Sequence, residues 1–356
     1  MRRATMLTFV LLCATTVSAE QTSDSDELKR ALELHDSGSY AEAISVYKEL
    51  LTRHPDNARL LFELGLTSRS AGKIADCIVY AEQSLAAQQR AESFSLLGSC
   101  HDDNKDTEKA LRAFEQGAQI APKDVELNFN HAVTLGRLGR YAEAREHAGI
   151  AIEGRPSYTS AYFVYAYALD GVALHGAAAL AHLRFIMWET DTSRAKGAAT
   201  LVVAHLNEYR DQAKQKKLYI SGMPKTPGPD TDLVLLDLAF GMSAQLSSTK
   251  LPENATDAER FVKVLTDVVT VAGELREKME GNEVVWRHSA EPLLQLAQRG
   301  LLEAYLYRVA AIADQQGATA WLEAHHDDSA RISEALRELQ KPDGLPHIHR
   351  LEVESR

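Results

Sequence analysis

The segment Gly38-Ser39-Tyr40-Ala41-Glu42-Ala43 returns 101 residues later, with one residue changed, as Gly139-Arg140-Tyr141-Ala142-Glu143-Ala144. Helix–turn–helix repeats that stack on one another have a period of about 34 residues. The interval of 101 is one residue short of three such periods. A helix pair of this kind leaves an apolar face that only a neighbouring pair can cover, so about three units or more are needed for stability. The feature therefore commits the first half of the chain to stacked helical pairs, and it favours binding over chemistry.

The residues around the two turns give the phase of the units. The third unit shows the pattern most fully, with Phe94, Leu97-Gly98 and His101 on a first helix and Ala110, Phe114 and Pro122 on and after a second. Gly98 and Ala110 are expected to face each other where the helices cross, because a larger side chain there would force them apart, and overpacking such a contact costs roughly 1–3 kcal/mol. Pro122 discourages continuation of the second helix. The first unit spans 24–57, with Ala31, Ala43, Tyr47 and Pro55. The second spans 58–90, with Leu61, Leu64-Gly65 and Cys77; it is one residue short, which accounts for the 101. The fourth spans 125–158, with Ala132, Leu135, Ala144 and Pro156, and a degenerate fifth spans 159–192, with Tyr162, Ala166 and Ala178.

In these positions the chain resembles the tetratricopeptide-repeat family, whose units carry Trp, Leu-Gly and Tyr on the first helix and Ala, Phe and Pro on and after the second. Cys77 stands where Ala is usual. The resemblance implies an all-α fold, a helix-turn-helix solenoid over 24–192 followed by a helical C-terminal region. It also implies protein–protein interaction through a concave groove lined by the first helices. The exposed faces of those helices map to Phe62, Leu66 and Arg69, to Ser99, Asp102 and Asp103, to Phe129, Val133 and Arg137, and to Phe163, Tyr167 and Asp170. Apolar residues flanked by charge suit an extended or helical peptide; the alternative is that the C-terminal half fills the groove. The Lys/Asn/Arg clamp that some family members use for chain-terminal carboxylates is replaced here by Asp102, Asp103 and Asp170, which would repel such a group.

Outside the repeats, residues 1–19 have the form of an export leader: Arg2 and Arg3, the apolar run Met6–Ala14, then Val17-Ser18-Ala19. Cleavage after Ala19 would remove those two positive charges from a chain of net charge −11, leaving −13. That balance gives no support for nucleic-acid binding, and no later segment is apolar enough to span a bilayer. The mature chain is therefore expected in the periplasm or outside the cell. Helical character continues over 193–220, a Pro/Gly-rich linker follows over 221–232, a helical region over 233–341 and a loose tail over 342–356. Within the helical region Phe261, Val264, Leu265, Val268, Val269 and Ala272 form one stripe. Thr256 with Glu259 is a capping box at its start. Trp286, Leu293, Leu294 and Leu296 are expected on the next helix. This half is either divergent repeats or a separate helical cap.

Chemistry-bearing motifs are sparse. There is no His-Glu-x-x-His, no Gly-x-Ser-x-Gly and no phosphate-cradling Gly-rich loop. His325-His326-Asp327-Asp328 and His347-Ile348-His349 are the best metal candidates, but adjacent imidazoles on a helix point about 100° apart, and neither is assigned as a site. The sequence calls for no catalytic residue, no cofactor and no metal. The aromatic run Tyr162, Phe163, Tyr165, Tyr167 serves either as packing or as a ligand platform. Cys77 and Cys100 fall on helices that adjacent units pack together, so they form either a disulfide or two small buried residues. The function these features support is an exported scaffold or adaptor for an unidentified protein or peptide partner. The alternatives are an envelope enzyme or ligand-binding protein with its site in the C-terminal half, and a structural component of an envelope assembly.

Overall fold

The computed structural model describes residues 24–214, 230–276 and 284–339, and every regular element among them is helical. The leader at 1–19, positions 221–229 of the expected linker, the tail at 342–356 and with it His347 and His349 lie outside the described residues. The first ten helices fall in pairs: α1 (24–36) with α2 (Tyr40–Arg53), α3 (Ala58–Ser70) with α4 (Ile74–Ala87), α5 (Ala91–Asp103) with α6 (Thr107–Ile120), α7 (Val125–Arg137) with α8 (Tyr141–Gly154), and α9 (Thr159–Gly171) with α10 (His175–Trp188). The chain continues through α11 (Ser193–Lys214), α12 (Thr231–Lys250), α13 (Asp257–Arg276), a π-helical turn (Val284–Ala290), α14 (Glu291–Gln298), α15 (Leu302–Ile312), α16 (Ala318–Ala324) and α17 (His326–Leu339). Packing divides it into two compact units, Met1–Thr134 and Leu135–Arg356, with the division inside α7.

The turn within each pair is the same object five times. Gly38, Gly72, Lys105, Gly139 and Ala173 all have positive φ, between 58° and 80°. The residue after each donates its backbone N–H to the carbonyl five residues back: Ser39 to Leu34, Lys73 to Ser68, Asp106 to His101, Arg140 to Leu135 and Leu174 to Leu169, at 2.8–3.0 Å. This is the hydrogen bond that closes a helix through a left-handed residue, and glycine suits that residue because it has no Cβ to clash. The missing residue falls between the turns at Gly72 and Lys105, which are one residue closer than their neighbours.

Among the described residues of the first unit, three small cores follow one another along the chain. Ala31, Ala43, Ile44, Tyr47, Leu50, Leu60 and Leu64 form the first; Cys77, Ala81, Leu96 and Cys100, with Phe62 and Leu66 against them, form the second; Ala91, Ala110, Phe114 and Leu127 form the third. Each joins one pair to the next, which is how the apolar faces left by single pairs are covered. The tight crossing at Gly98 is against the Phe114 ring: a Cβ built on Gly98 would lie 2.6 Å from it. The neighbour that makes Gly98 necessary is thus Phe114, where the sequence pointed to Ala110. Asn57 caps α3, its side chain accepting from the N–H groups of Arg59 and Leu60 at 3.1 Å.

The second unit is centred on α10, whose residues Gly176–Met187 are all buried. It packs against α9, α11, α12 and the π-helical turn. A helix surrounded on all sides is apolar all round, which is why its sequence carries so little amphipathic signal. Along α11 two side chains meet partners about one repeat earlier: Arg194 donates to Ser160 at 3.2 Å, and His205 lies 3.0 Å from Asp170. The first unit has the same spacing in Arg69 with Asp103 and in Asn130 with Ser95. Helix α11 therefore stands where the first helix of a further pair would stand.

Beyond it, the capping box forms as read: Thr256 N–H donates to Glu259 Oε2 at 2.6 Å, and Glu259 N–H to Thr256 Oγ1 at 3.2 Å. Phe261, Val264, Leu265, Val268, Val269 and Ala272 are all buried. The helix expected to carry both Trp286 and Leu293 is instead a wide π-helical turn leading into α14. Pro292 has no N–H for the His288 carbonyl four residues back; that carbonyl accepts from Arg184 Nε at 3.1 Å.

Candidate functional site

The twelve residues mapped to the groove differ in what they face. In the first unit Phe62 and Leu66 are half-buried against the Cys77–Cys100 core. Arg69 Nε donates to Asp103 Oδ2 at 2.7 Å, tying α3 to α5. Ser99 and Asp102 are only 4% and 7% exposed, a correction to the expected open face, because this side of α5 turns into the packing between pairs. Phe129 is half-buried, whereas Val133 is 39% exposed.

In the second unit Arg137 is exposed and Tyr167 is 44% exposed, its ring edge-on to Tyr141 at 5.7 Å. Phe163 is half-buried against Phe185, ring centroids 5.2 Å apart, with the Arg194 guanidinium 5.9 Å from its centre. The aromatic run therefore splits: Tyr162 and Tyr165 are core, at 0% and 3% exposed, while Tyr167 reaches the surface.

Asp170 belongs to a different arrangement from the one its place in the groove suggested. Its carboxylate, with the side chain 12% exposed, is ringed by three imidazoles. His175 Nδ1 lies 3.3 Å and His205 Nε2 3.0 Å from Oδ1, and His182 Nε2 lies 2.9 Å from Oδ2. His175 opens α10, His182 lies two turns along it and His205 lies on α11. The rings of His175 and His205 stack with centroids 3.9 Å apart. Burial works against ionisation of Asp170, but the imidazoles of His175, His182 and His205 set against it outweigh that and hold the carboxyl far below the usual carboxylate range. Burial also disfavours a charged His175, and Asp170 overrides it, raising that imidazole above its ordinary value. Asp170, His175 and His205 are a group whose ligand atoms all lie within 4.8 Å of one another. The sequence assigned no metal set because the three span 35 positions; the signal was there only in the repeat register, which puts His205 about one period after Asp170. The tract His325-His326 shows no such convergence: His325 packs its ring on Trp321, and His326 meets Asp327 at an exposed edge.

Two further features are built in. Cys77 on α4 and Cys100 on α5 form a disulfide with Cα atoms 6.1 Å apart, within the span such a bridge requires. A cleft of about 460 Å³ in the second unit is lined by Arg155, Arg184, Trp188, Arg287 and Arg299 together with Glu291 and Glu338, and Arg299 pairs with Glu338 at 2.8 Å. Arg184 is 6% exposed, its guanidinium 5.5 Å from the Tyr162 ring centre and 5.0 Å from that of Trp188.

Stacked helical pairs closed by a recurring left-handed turn, with first helices presenting side chains one period apart, define an all-α helical repeat protein. The family profile described as tetratricopeptide repeat matches residues 12–193, just over half of the chain, and the chain belongs to that family. Arrays of this family are protein-interaction scaffolds. Among solved structures, a thermophilic TPR protein of Thermus thermophilus is 15% identical over 49% of this chain and 98% of its own, with a TM-score of 0.43. YrrB, described as a TPR protein with an unusual peptide-binding site, is 17% identical over 51% and 96%, with a TM-score of 0.39. MamA is 18% identical over 55% and 100%, with a TM-score of 0.35. No curated protein matches the chain. No helix among the described residues is long and apolar enough to cross a membrane.

Proposed function

We propose that this chain is an exported tetratricopeptide scaffold that holds a partner polypeptide against the first-helix faces of its repeats. The observation that carries the reading is the pattern of exposure along those helices. Within the second unit Arg137 and Tyr167 present cationic and aromatic groups to solvent, although other members of the mapped set are packed into the core. Aromatic and Arg residues are the side chains that anchor protein interfaces. Export is supported by the Arg2-Arg3, apolar run and Val17-Ser18-Ala19 pattern and by a cysteine pair placed for oxidation.

A photo-crosslinking amino acid placed at Tyr167 should capture the partner in the native compartment. One placed at Glu146, exposed on the second helix α8, should not. Arg137→Ala should abolish the capture. Equal capture from both positions, or capture indifferent to the substitution, sinks the groove reading. Mass spectrometry of the chain recovered from that compartment checks export separately, with Glu20 expected as the first residue.

A second reading rests on the arginine-lined cleft. A cleft of this size with four arginines against two glutamates in its lining suits an anionic ligand, with the repeats serving recruitment. Binding of inorganic phosphate lost in Arg155→Ala, with crosslinking at Tyr167 unaffected, would favour it.

A further inference from the structure

We infer that Asp170, His175 and His205 form a binding site for a divalent transition metal, with His182 as the outer residue that fixes the carboxylate. For tetrahedral coordination with metal–ligand bonds of about 2.0–2.1 Å, neighbouring ligand atoms lie about 3.3 Å apart. Asp170 Oδ1 is 3.3 Å from His175 Nδ1 and 3.0 Å from His205 Nε2. The donor set, two imidazoles and one carboxylate, is that of Zn²⁺ and its first-row neighbours rather than of Ca²⁺ or Mg²⁺, which take oxygen.

The hydrogen bonding of the cluster leaves room for a metal. His205 Nε2 is buried and has no aligned hydrogen bond, despite its closeness to Oδ1. Asp170 Oδ2, the oxygen that would not ligate, is already held by His182 Nε2 at 2.9 Å. A ligating carboxylate is commonly oriented in this way by an outer hydrogen bond. The next shell is anionic. Asp237 is fully buried, accepting from Gly176 N–H, the residue after His175, at 3.3 Å and from Tyr209 O–H at 3.2 Å.

Position supports the same conclusion. Asp170 ends α9, His175 begins α10 and His205 lies on α11, so a bound ion would tie three successive helices where the recognisable repeats give way to α11. The side chains of His175 and His205 are each 17% exposed, leaving a path for entry and a coordination position for water or for a donor from a partner.

The test uses the full chain, without an added histidine tag and stripped with a chelator. It is titrated with Zn²⁺ in a calorimeter and with Co²⁺ under visible absorption. The expected result is saturable binding of a single ion, with the intense absorption of tetrahedral Co²⁺ and a rise in melting temperature with Zn²⁺. His205→Gln and Asp170→Asn should each abolish the Co²⁺ spectrum while keeping the helical circular dichroism of the parent. His182→Ala should weaken binding by about 10–100-fold, as loss of an outer partner does. The double variant His325→Ala, His326→Ala should bind normally. No saturable binding by the parent overturns the inference. So does binding that survives both His205→Gln and Asp170→Asn, or that disappears with His325 and His326, because the cluster would then be an ionic network without a metal.

Discussion

The five left-handed turns allow a backbone argument with both signs in one protein. Gly139 and Ala173 occupy equivalent turns of successive pairs, at φ 75° and 58°. Both lie in the second unit. At Gly139 an added Cβ would meet nothing closer than Tyr141 at 3.9 Å. Gly139→Ala therefore has only the conformational cost, about 1–2 kcal/mol for a side chain in the left-handed region. Against it stands the lower entropy of the unfolded chain with alanine, about 0.4–1 kcal/mol. The net expectation is a loss of about 1 kcal/mol. Ala173→Gly runs the same arithmetic backwards and should gain about as much. The assay is urea unfolding followed by circular dichroism, with the slope required to stay constant so that a midpoint shift reads as stability. Opposite shifts of similar size are expected, cancelling in the double variant because the turns are separate. If Gly139→Ala leaves the midpoint unmoved, or Ala173→Gly lowers it, the turns are not what limits these positions and the reasoning fails.

Two other expectations concern the first unit. Glu63 is buried on α3, and burial, opposed by Arg59, raises its carboxyl above the ordinary value of 4.5. The folded state thus holds this proton more tightly than the unfolded one, so the associated stability is full below that value and lost as pH rises through the folded value. Glu63→Gln should match the parent in acid and exceed it in stability toward neutral pH, as read from denaturation midpoints; parallel curves would count against it. Reduction of Cys77–Cys100, which closes a loop of sequence separation 23, should cost about 3 kcal/mol on the loop-entropy estimate. Non-reducing mass spectrometry checks the bridge itself, and two freely alkylated thiols in the oxidised protein would contradict it.

The readable parts of the site and fold share a physical cause. Turn residues, the Thr256–Glu259 cap and the stripe from Phe261 to Ala272 are set by interactions within a few residues of each other, so local sequence carries them. The repeat supplied phase as well, because each pair must present an apolar face to the next. Where several helices converge, that logic stops. Ser99 and Asp102 lie on a helix face that looks open when one pair is drawn alone, yet the tertiary packing buries them. Helix α10 shows no favoured face because neighbours surround it. Gly98 was legible as a small residue, but the Phe114 ring that requires it had to be placed by the fold.

The sequence by itself determined an all-helical repeat protein, the positions of its turns and the meeting of Cys77 with Cys100. Periodicity and short-range sterics suffice for these. Only the tertiary structure decided that Asp170 turns away from a peptide-facing role toward His175, His182 and His205. That grouping depends on how far α11 lies from the end of α9 and on which way α10 rotates between them. Both are fixed by the sum of many packing contacts, and no short stretch of the chain encodes that sum.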